Sequence, residues 1–253
     1  MMFKNPDFTD IPKLKKLWLE AFGDSEEFYM SFLKSSYHYL RCRVAEEEGE
    51  ILSALYFFDC LLEGKKFAYI YGVATKKSAR NRGICTKLLI DTHEYLKENG
   101  YCGALLVPSE KSLFPFYEKL GYKTATKNNT VTVSDNFSDP SKLKKINGEE
   151  YAALRRKYLP RGGVIQENEN IEYLETLEEL YCSKDFIFAA HIEGDTLYAS
   201  EFLGDTAQLG NITAAFKVKK GVFRTVGSKN EFSMYIPFFE DSPFPSYFGF
   251  AFD

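Results

Sequence analysis

The chain has 253 residues, enough for one large domain or two of moderate size, and at 45% hydrophobic and 16% aromatic it has ample core material. A formal net charge of −4 argues against a general nucleic-acid or anionic-membrane binder and leaves room for an amine substrate. The N-terminus, M-M-F-K-N-P-D-F-T-D, lacks the apolar core of a signal peptide, and no apolar run approaches membrane-spanning length, so a cytoplasmic protein is expected.

Thr9-Asp10-Ile11-Pro12 reads as a helix start with proline in the first turn, and Ile11, Leu14, Trp18, Ala21 and Phe22 recur at helical spacing up to Gly23. A second helix is expected from Asp24, with Glu27 completing a capping-box pattern. Leu40 to Glu46 and Ile51 to Leu62 read as strands joined at Glu48-Gly49-Glu50, and Phe67 to Thr75 as a third. Gly72 inside that strand suggests a bulge or a close approach to the backbone. After a basic turn, Cys85, Leu88, Leu89, Thr92 and Leu96 form one helical stripe ending at Asn99-Gly100. Ala104 to Val107 is a short buried strand, Ser109 to Leu120 a helix closed by Gly121, and Tyr122 to Val133 one or two strands. The order ααβββαβαβ is a mixed α/β layer with one parallel step.

Residues 134–141 are polar and turn-rich, a linker between expected domains at 1–134 and 141–253. Beyond them the pattern starts again. Glu149 to Leu159 and Asn170 to Cys182 read as helices, and Phe186 to Ile192 with Thr196 to Phe202 as a hairpin around Glu193-Gly194-Asp195. The endings also correspond. L-V-P-S-E-K-S-L-F-P-F-Y-E-K-L-G-Y-K from Leu106 is similar to Y-I-P-F-F-E-D-S-P-F-P-S-Y-F-G-F-A from Tyr235, with Pro-to-Gly distances of 13 and 12 residues. An internal duplication is therefore expected.

The five cysteines are scattered, with no CxxC pair or Cys/His cluster, so neither a metal site nor a disulfide framework is expected. His38, His93 and His191 read as structural or surface residues. The chemistry sits in the turn Y-G-V-A-T-K-K-S-A-R-N-R-G-I-C-T from Tyr71. A helix starting near Gly83 aims its unpaired N–H groups and positive dipole end at the turn, and Arg80 and Arg82 add charge-assisted hydrogen bonds. That is an anion site suited to a phosphate or pyrophosphate, though neither a Walker loop nor a G-x-G-x-x-G fingerprint is present.

The passage G-V-A-T-K-K-S-A-R-N-R-G-I-C-T-K-L-L resembles the coenzyme A motif of the GCN5-related N-acetyltransferases (GNAT superfamily), Q/R-x-x-G-x-G/A after a bulged strand. Arg80, Gly83 and Cys85 take the motif's defining positions. About 30 residues on, L-F-P-F-Y-E-K-L-G-Y-K resembles the second signature of that family. The resemblance spans roughly residues 3 to 133 and implies a mixed, mostly antiparallel sheet flanked by helices, here duplicated in tandem with a degenerate C-terminal copy.

The resemblance implies acetyl-CoA as the acyl donor, held by Val73, Ala74 and Thr75 at the pantetheine amides. Arg80, Asn81, Arg82, Gly83, Ile84, Cys85 and Thr86 are implied at the pyrophosphate, and Tyr117 as the acid that protonates the leaving thiolate. Asn81 replaces a frequent glycine, Cys85 the last small residue, and Glu110 an asparagine found in many relatives. Glu110, Asp59, Glu63 and a water chain all remain open as the base. The acceptor is expected to be a primary amine of a small molecule or peptide, attacked directly, in a monomer or homodimer. Two other readings stay open, a Fem-type aminoacyl transferase and a non-catalytic coenzyme A module. In the second half Ala207-Gln208-Leu209-Gly210 replaces R-N-R-G, Ile212 to Val226 does not read clearly as helix, and Tyr247 is out of register with Tyr117. One coenzyme site is therefore expected, in the first half.

Overall fold

The computed structural model describes residues 1–134 and 142–252, so all of the expected linker but Ser134 lies outside the described residues. In chain order the first elements are β1 (Met2–Lys4), α1 (Ile11–Phe22), α2 (Glu26–Ser35), β2 (Cys42–Glu47), β3 (Glu50–Leu62) and β4 (Lys65–Thr75). Then come α3 (Ile84–Glu98), β5 (Gly103–Leu106), α4 (Phe114–Glu118), β6 (Lys123–Thr124) and β7 (Lys127–Ser134). The later part holds β8 (Lys144–Ile146), α5 (Gly148–Tyr158), β9 (Ile165–Gln166), α6 (Glu169–Leu177), β10 (Glu179–Cys182) and β11 (Phe186–Glu193). It closes with β12 (Thr196–Gly204), α7 (Leu209–Ala215), β13 (Lys220–Val226), β14 (Asn230–Glu231) and β15 (Met234–Pro237).

Two compact units result, and they interleave rather than follow one another at 134–141. One holds Met1–Lys123 with Met234–Pro243, the other Thr124–Ser233 with the segment from Phe244 on. The reason is strand pairing. β5 and β13 each run parallel to one neighbour and take an antiparallel strand on their other side. For β5 that strand is β15, with Tyr235 opposite Leu105. For β13 it is β7, with Val131 opposite Phe223. Each half of the chain thus lends its late strand to the unit built from the other half.

In the first unit the sheet runs β1-β2-β3-β4-β5-β15, antiparallel except at β4–β5. On α1, Pro12 occupies the first turn, and Gly23 closes the helix at φ +75° with its N–H on the Leu19 carbonyl. α2 starts one residue later than the sequence suggests, because Ser25, not Asp24, caps it by accepting from Phe28 N–H. Asp24 instead accepts the Trp18 indole N–H at 2.7 Å. On the opposite side of the sheet α3 buries Ile84, Leu88, Leu89 and Leu96 against Leu55, Phe57, Ile70 and Leu106. Each such side chain contributes about 1.5–3 kcal/mol of burial. The expected helix from Ser109 to Leu120 is shorter, a 3-10 turn over Lys111–Leu113 followed by α4 with Pro115 in its first turn.

In the second unit the sheet runs β14-β7-β13-β12-β11-β10-β8. β12–α7–β13 repeats the parallel step of β4–α3–β5 and carries the duplication. Three expectations change. The helix expected from Asn170 to Cys182 ends at Leu177 and gives way to β10. The stretch from Ile212 to Val226 is α7 followed by β13. The counterpart of β5 is β13, so Tyr235–Pro237, which pairs with β5 itself, is not a copy of the Leu106 exit despite the similar letters.

Candidate active site

β4 carries both features suggested at Gly72. Ala54 faces Ala74 and Tyr56 faces Tyr71, which leaves Gly72 and Val73 opposite Leu55 alone, a bulge. Gly72 has φ +57°, and a Cβ there would stand 2.9 Å from Trp18 Cζ3 and 3.0 Å from Tyr56 Cδ2. Only glycine meets both demands.

β4 and β5 pair at Ala68↔Ala104, Tyr69↔Leu105 and Ile70↔Leu106, and there the pairing stops. From Tyr71 onward β4 has β3 on one side and a gap on the other. Tyr71, Gly72, Val73 and Thr75 are half-buried, as is Val107 beyond the end of β5. Backbone alternation sorts the three residues expected at this edge. Lys76 N–H donates to Leu52 O at 2.9 Å and Ala74 O accepts from Ser53 Oγ at 2.7 Å, so residues 74 and 76 look toward β3. Val73 and Thr75 therefore look into the gap. Ser53, fully buried, also meets Thr75 Oγ1 at 2.9 Å and braces this edge from behind.

The basic turn follows at once. Asn81 (φ +62°) and Gly83 (φ +70°) both take the left-handed conformation, which asparagine adopts more readily than most residues and glycine freely. Gly83 caps the 15-residue α3, and a Cβ at Gly83 would meet no atom within 4 Å, so the space over the helix end is open. The first intrahelical bond is Lys87 N–H to Gly83 O. The amides of Ile84, Cys85 and Thr86 precede it and point at the turn. Arg80 Nε donates to Thr75 O at 3.3 Å, and Arg82 pairs with Glu47 at 2.8 Å, with both arginine heads exposed. Positive charge, helix dipole and open amides converge at one end of the β4–β5 gap, an arrangement that binds an anion.

On the α3 side of the gap, Tyr117 of α4 belongs to the same apolar cluster as Val73, Cys85 and Leu106. It is 7% exposed, and its hydroxyl has no hydrogen-bond partner among the described residues. Burial, with Cys85 nearby, raises its phenol above the ordinary tyrosine range. Burial likewise pushes the Cys85 thiol up to about 11, against a smaller opposing effect of the Thr75 hydroxyl.

Two of the base candidates, Asp59 and Glu63, lie away from the gap. Asp59 stands opposite Ala68, at the far end of β4, roughly 16 Å along the strand from Val73 at ~3.3 Å per residue. It accepts from the Tyr101 hydroxyl and lies 3.5 Å from Lys66 Nζ. Glu63 sits in the hairpin turn at that same far end, and Glu110 is exposed ahead of the 3-10 turn. Sequence reasoning missed Ser53, Glu47 and the role of Trp18 at the bulge. Each works through its place across a strand or helix, for which local spacing carries no signal.

The second unit lacks the same gap. β12 also bulges, between Ala189↔Glu201 and Ala190↔Ala199, yet it stays paired with β13 beyond the bulge at Phe202↔Thr225. α7 has seven residues and no left-handed glycine at its head. Where α1 lays Trp18 on the first bulge, α5 sends Arg155 to Glu201 at 2.8 and 2.9 Å, and the Tyr151 and Tyr247 hydroxyls complete the carboxylate's bonds. The buried ion pair fills this bulge.

Residues 3–125 match the family model described as "Acetyltransferase (GNAT) domain". No curated protein matches the chain. Among solved structures, a GCN5-related N-acetyltransferase from Kribbella flavida is similar with a TM-score of 0.71 at 13% identity, over 92% of this chain and 70% of that one. A GCN5-related N-acetyltransferase from Anabaena variabilis is similar with a TM-score of 0.72 at 15% identity, over 92% of this chain and 72% of that one. At these identities the likeness is one of fold. It extends through both units, and no helix among the described residues is long and apolar enough to cross a membrane.

Proposed function

We propose that this chain, whose residues 3–125 match the GNAT acetyltransferase domain model, is an acyl-CoA-dependent N-acyltransferase with its coenzyme site in the first unit. The donor is acetyl-CoA and the acceptor a primary amine of a small molecule or peptide. The observation that carries this reading is the parting of β4 from β5 after Ile70, beside the open, Gly83-headed end of α3.

Bound acetyl-CoA supplies an activated acetyl thioester. Toward it, Val73 and Thr75 offer the backbone groups that face the gap, while Ala74 anchors the edge through its bond to Ser53. The backbone of Asn81, Arg82, Gly83, Ile84, Cys85 and Thr86 holds the pyrophosphate, with Arg80 and Arg82 adding charge. Arg82 leaves Glu47 to do so. Tyr117 keeps its proton on Oη through the neutral range and would give it to the sulfur as the C–S bond breaks, and the proton released by the amine nitrogen as the C–N bond forms would restore the phenol. Direct attack is the reading that the resemblance supports, and burial, which pushes the Cys85 thiol up to about 11, makes the thiol at the head of α3 a poor nucleophile for a covalent acyl intermediate. The second unit is a degenerate copy without a coenzyme site, a reading supported by its continuous β12–β13 pairing.

Thermal shift with acetyl-CoA tests the reading. Stabilisation is expected for the wild type and for Tyr117→Phe and is lost in Arg82→Glu. Free-thiol release across a panel of polyamines, amino acids, aminoglycosides and peptide N-termini should fall about 100-fold or more in Tyr117→Phe. No stabilisation at millimolar acetyl-CoA would overturn the proposal.

A further inference from the structure

One buried polar residue on α3 stands apart from the leucine face around it. His93 is 6% exposed, and its Nε2 meets the Tyr122 hydroxyl at 2.8 Å. The helix buries Ile84, Leu88, Leu89, Thr92 and Leu96 beside it, and of these only Thr92 is polar, its hydroxyl returned to the Leu88 carbonyl. A leucine would fill such a site without needing a partner, whereas a buried imidazole requires one. Burial, followed by the charge of Lys97, holds His93 down to about 4, so the ring is neutral and its bond to Tyr122 persists across the physiological range.

The bond leads toward the site. Tyr122 is 1% exposed, and its ring meets the ring of Tyr117 edge-on, with centroids 5.8 Å apart at 71°. Its N–H donates to the Tyr117 carbonyl at 3.2 Å. Phe116 flanks Tyr117 at 5.0 Å and Phe238 flanks His93 at 5.6 Å, so both ends of the chain of rings are packed. Since no hydrogen bond holds the Tyr117 hydroxyl among the described residues, its direction is set by the rings around it. Tyr122 can serve as a fixed wall only if its own ring is fixed, and the bond to His93 does that.

We propose that His93 is a positioning residue for acyl transfer, holding Tyr122 as the wall that aims the Tyr117 hydroxyl at the β4–β5 gap. The proposal rests on the reading of Tyr117 as the acid. A group that must reach one sulfur atom needs placement to within about 0.5 Å, and a misplacement of about 1 Å can cost 100-fold in rate.

Three variants separate the hydrogen bond from packing. His93→Leu keeps the volume and removes the bond, Tyr122→Phe removes it from the other side, and His93→Gln can restore it. Turnover is read by thiol release with the amine giving the highest wild-type rate. The order of the ring is read without any acceptor, by 19F NMR of 3-fluorotyrosine at position 117 with acetyl-CoA present.

His93→Leu and Tyr122→Phe should lower kcat about tenfold with KM for acetyl-CoA unchanged, and should split or broaden the fluorine line. His93→Gln should recover both within about twofold, and the double variant should lose no more than either single one. A wild-type fluorine line in His93→Leu, or a His93→Gln as slow as His93→Leu, overturns the positioning role. Full kcat in Tyr117→Phe instead overturns the acid reading, and the fluorine line then still reports whether His93 orders the ring.

Discussion

Replacing Gly72 with alanine tests the bulge that shapes the edge of β4. Alanine at φ +57° pays the left-handed penalty of about 1–2 kcal/mol. The new Cβ also stands 2.9 Å from Trp18 Cζ3 and 3.0 Å from Tyr56 Cδ2, inside ordinary contact. Neither ring has room to retreat, since Trp18 is 2% exposed and packed at 5.0–5.8 Å against Phe22, Tyr29, Phe32, Tyr56 and Tyr71. Overpacking of this kind costs about 1–3 kcal/mol. Together the terms give a loss of about 2–5 kcal/mol, or a Tm lower by about 6–15 °C at roughly 3 °C per kcal/mol. Scanning calorimetry with and without acetyl-CoA should show that drop and a weaker ligand-induced shift. Gly83→Ala is the companion, because its Cβ meets no protein atom. Its Tm should fall by only about 3–6 °C, while acetyl-CoA binding falls because the added methyl group lies over the helix end. A Gly72→Ala protein as stable as the wild type and with intact binding would refute the account of the bulge.

Other consequences follow from single contacts. Arg155→Met should destabilise the second unit by about 3–5 kcal/mol in urea unfolding, because it leaves the Glu201 carboxylate buried with only its tyrosine partners. A loss below about 1 kcal/mol would contradict that role. Glu47→Gln frees Arg82 from its ion pair, and calorimetric titration should find tighter acetyl-CoA binding. Unchanged or weaker binding would show that the pair does not compete with the coenzyme. His93 is neutral when folded, with a value near 4, but takes a proton near 6.5 when unfolded. Its contribution is therefore complete above about pH 6.5 and lost as the pH falls toward 4, by up to about 3 kcal/mol. The stability difference between wild type and His93→Gln should change across that window. A constant difference would contradict the assignment.

Local signals were legible in the sequence wherever the cause is itself local. Pro12 and Gly23 bound α1, Gly72 marks the bulge, and Gly83 heads α3, each through its own backbone preference. The parallel step with its basic turn followed from strand, turn and stripe in order. What the sequence did not show is pairing between distant strands. That β7 joins β13 and β15 joins β5 depends on register across 86 residues or more, and the similar letters at Leu106 and Tyr235 pointed the wrong way. Helix length near β-branched stretches was equally uncertain. Ile212 and Thr213 are helical in α7 because Leu209 and Ile212 bury against Phe223 and Phe202, a tertiary effect that overrides propensity. For the candidate site, its main-chain groups and arginines were readable, while Ser53, Glu47 and the distance of Asp59 from Val73 needed the fold.

The central claim is one acetyl-CoA site, carried by the first unit. Isothermal titration of the full chain with acetyl-CoA tests it most directly, with Arg82→Glu and, in the second unit, Gln208→Glu at the counterpart of Asn81 alongside. The account predicts one molecule bound per chain, with binding abolished by Arg82→Glu and unchanged by Gln208→Glu. Two molecules per chain, or binding that survives Arg82→Glu and is lost with Gln208→Glu, would contradict it.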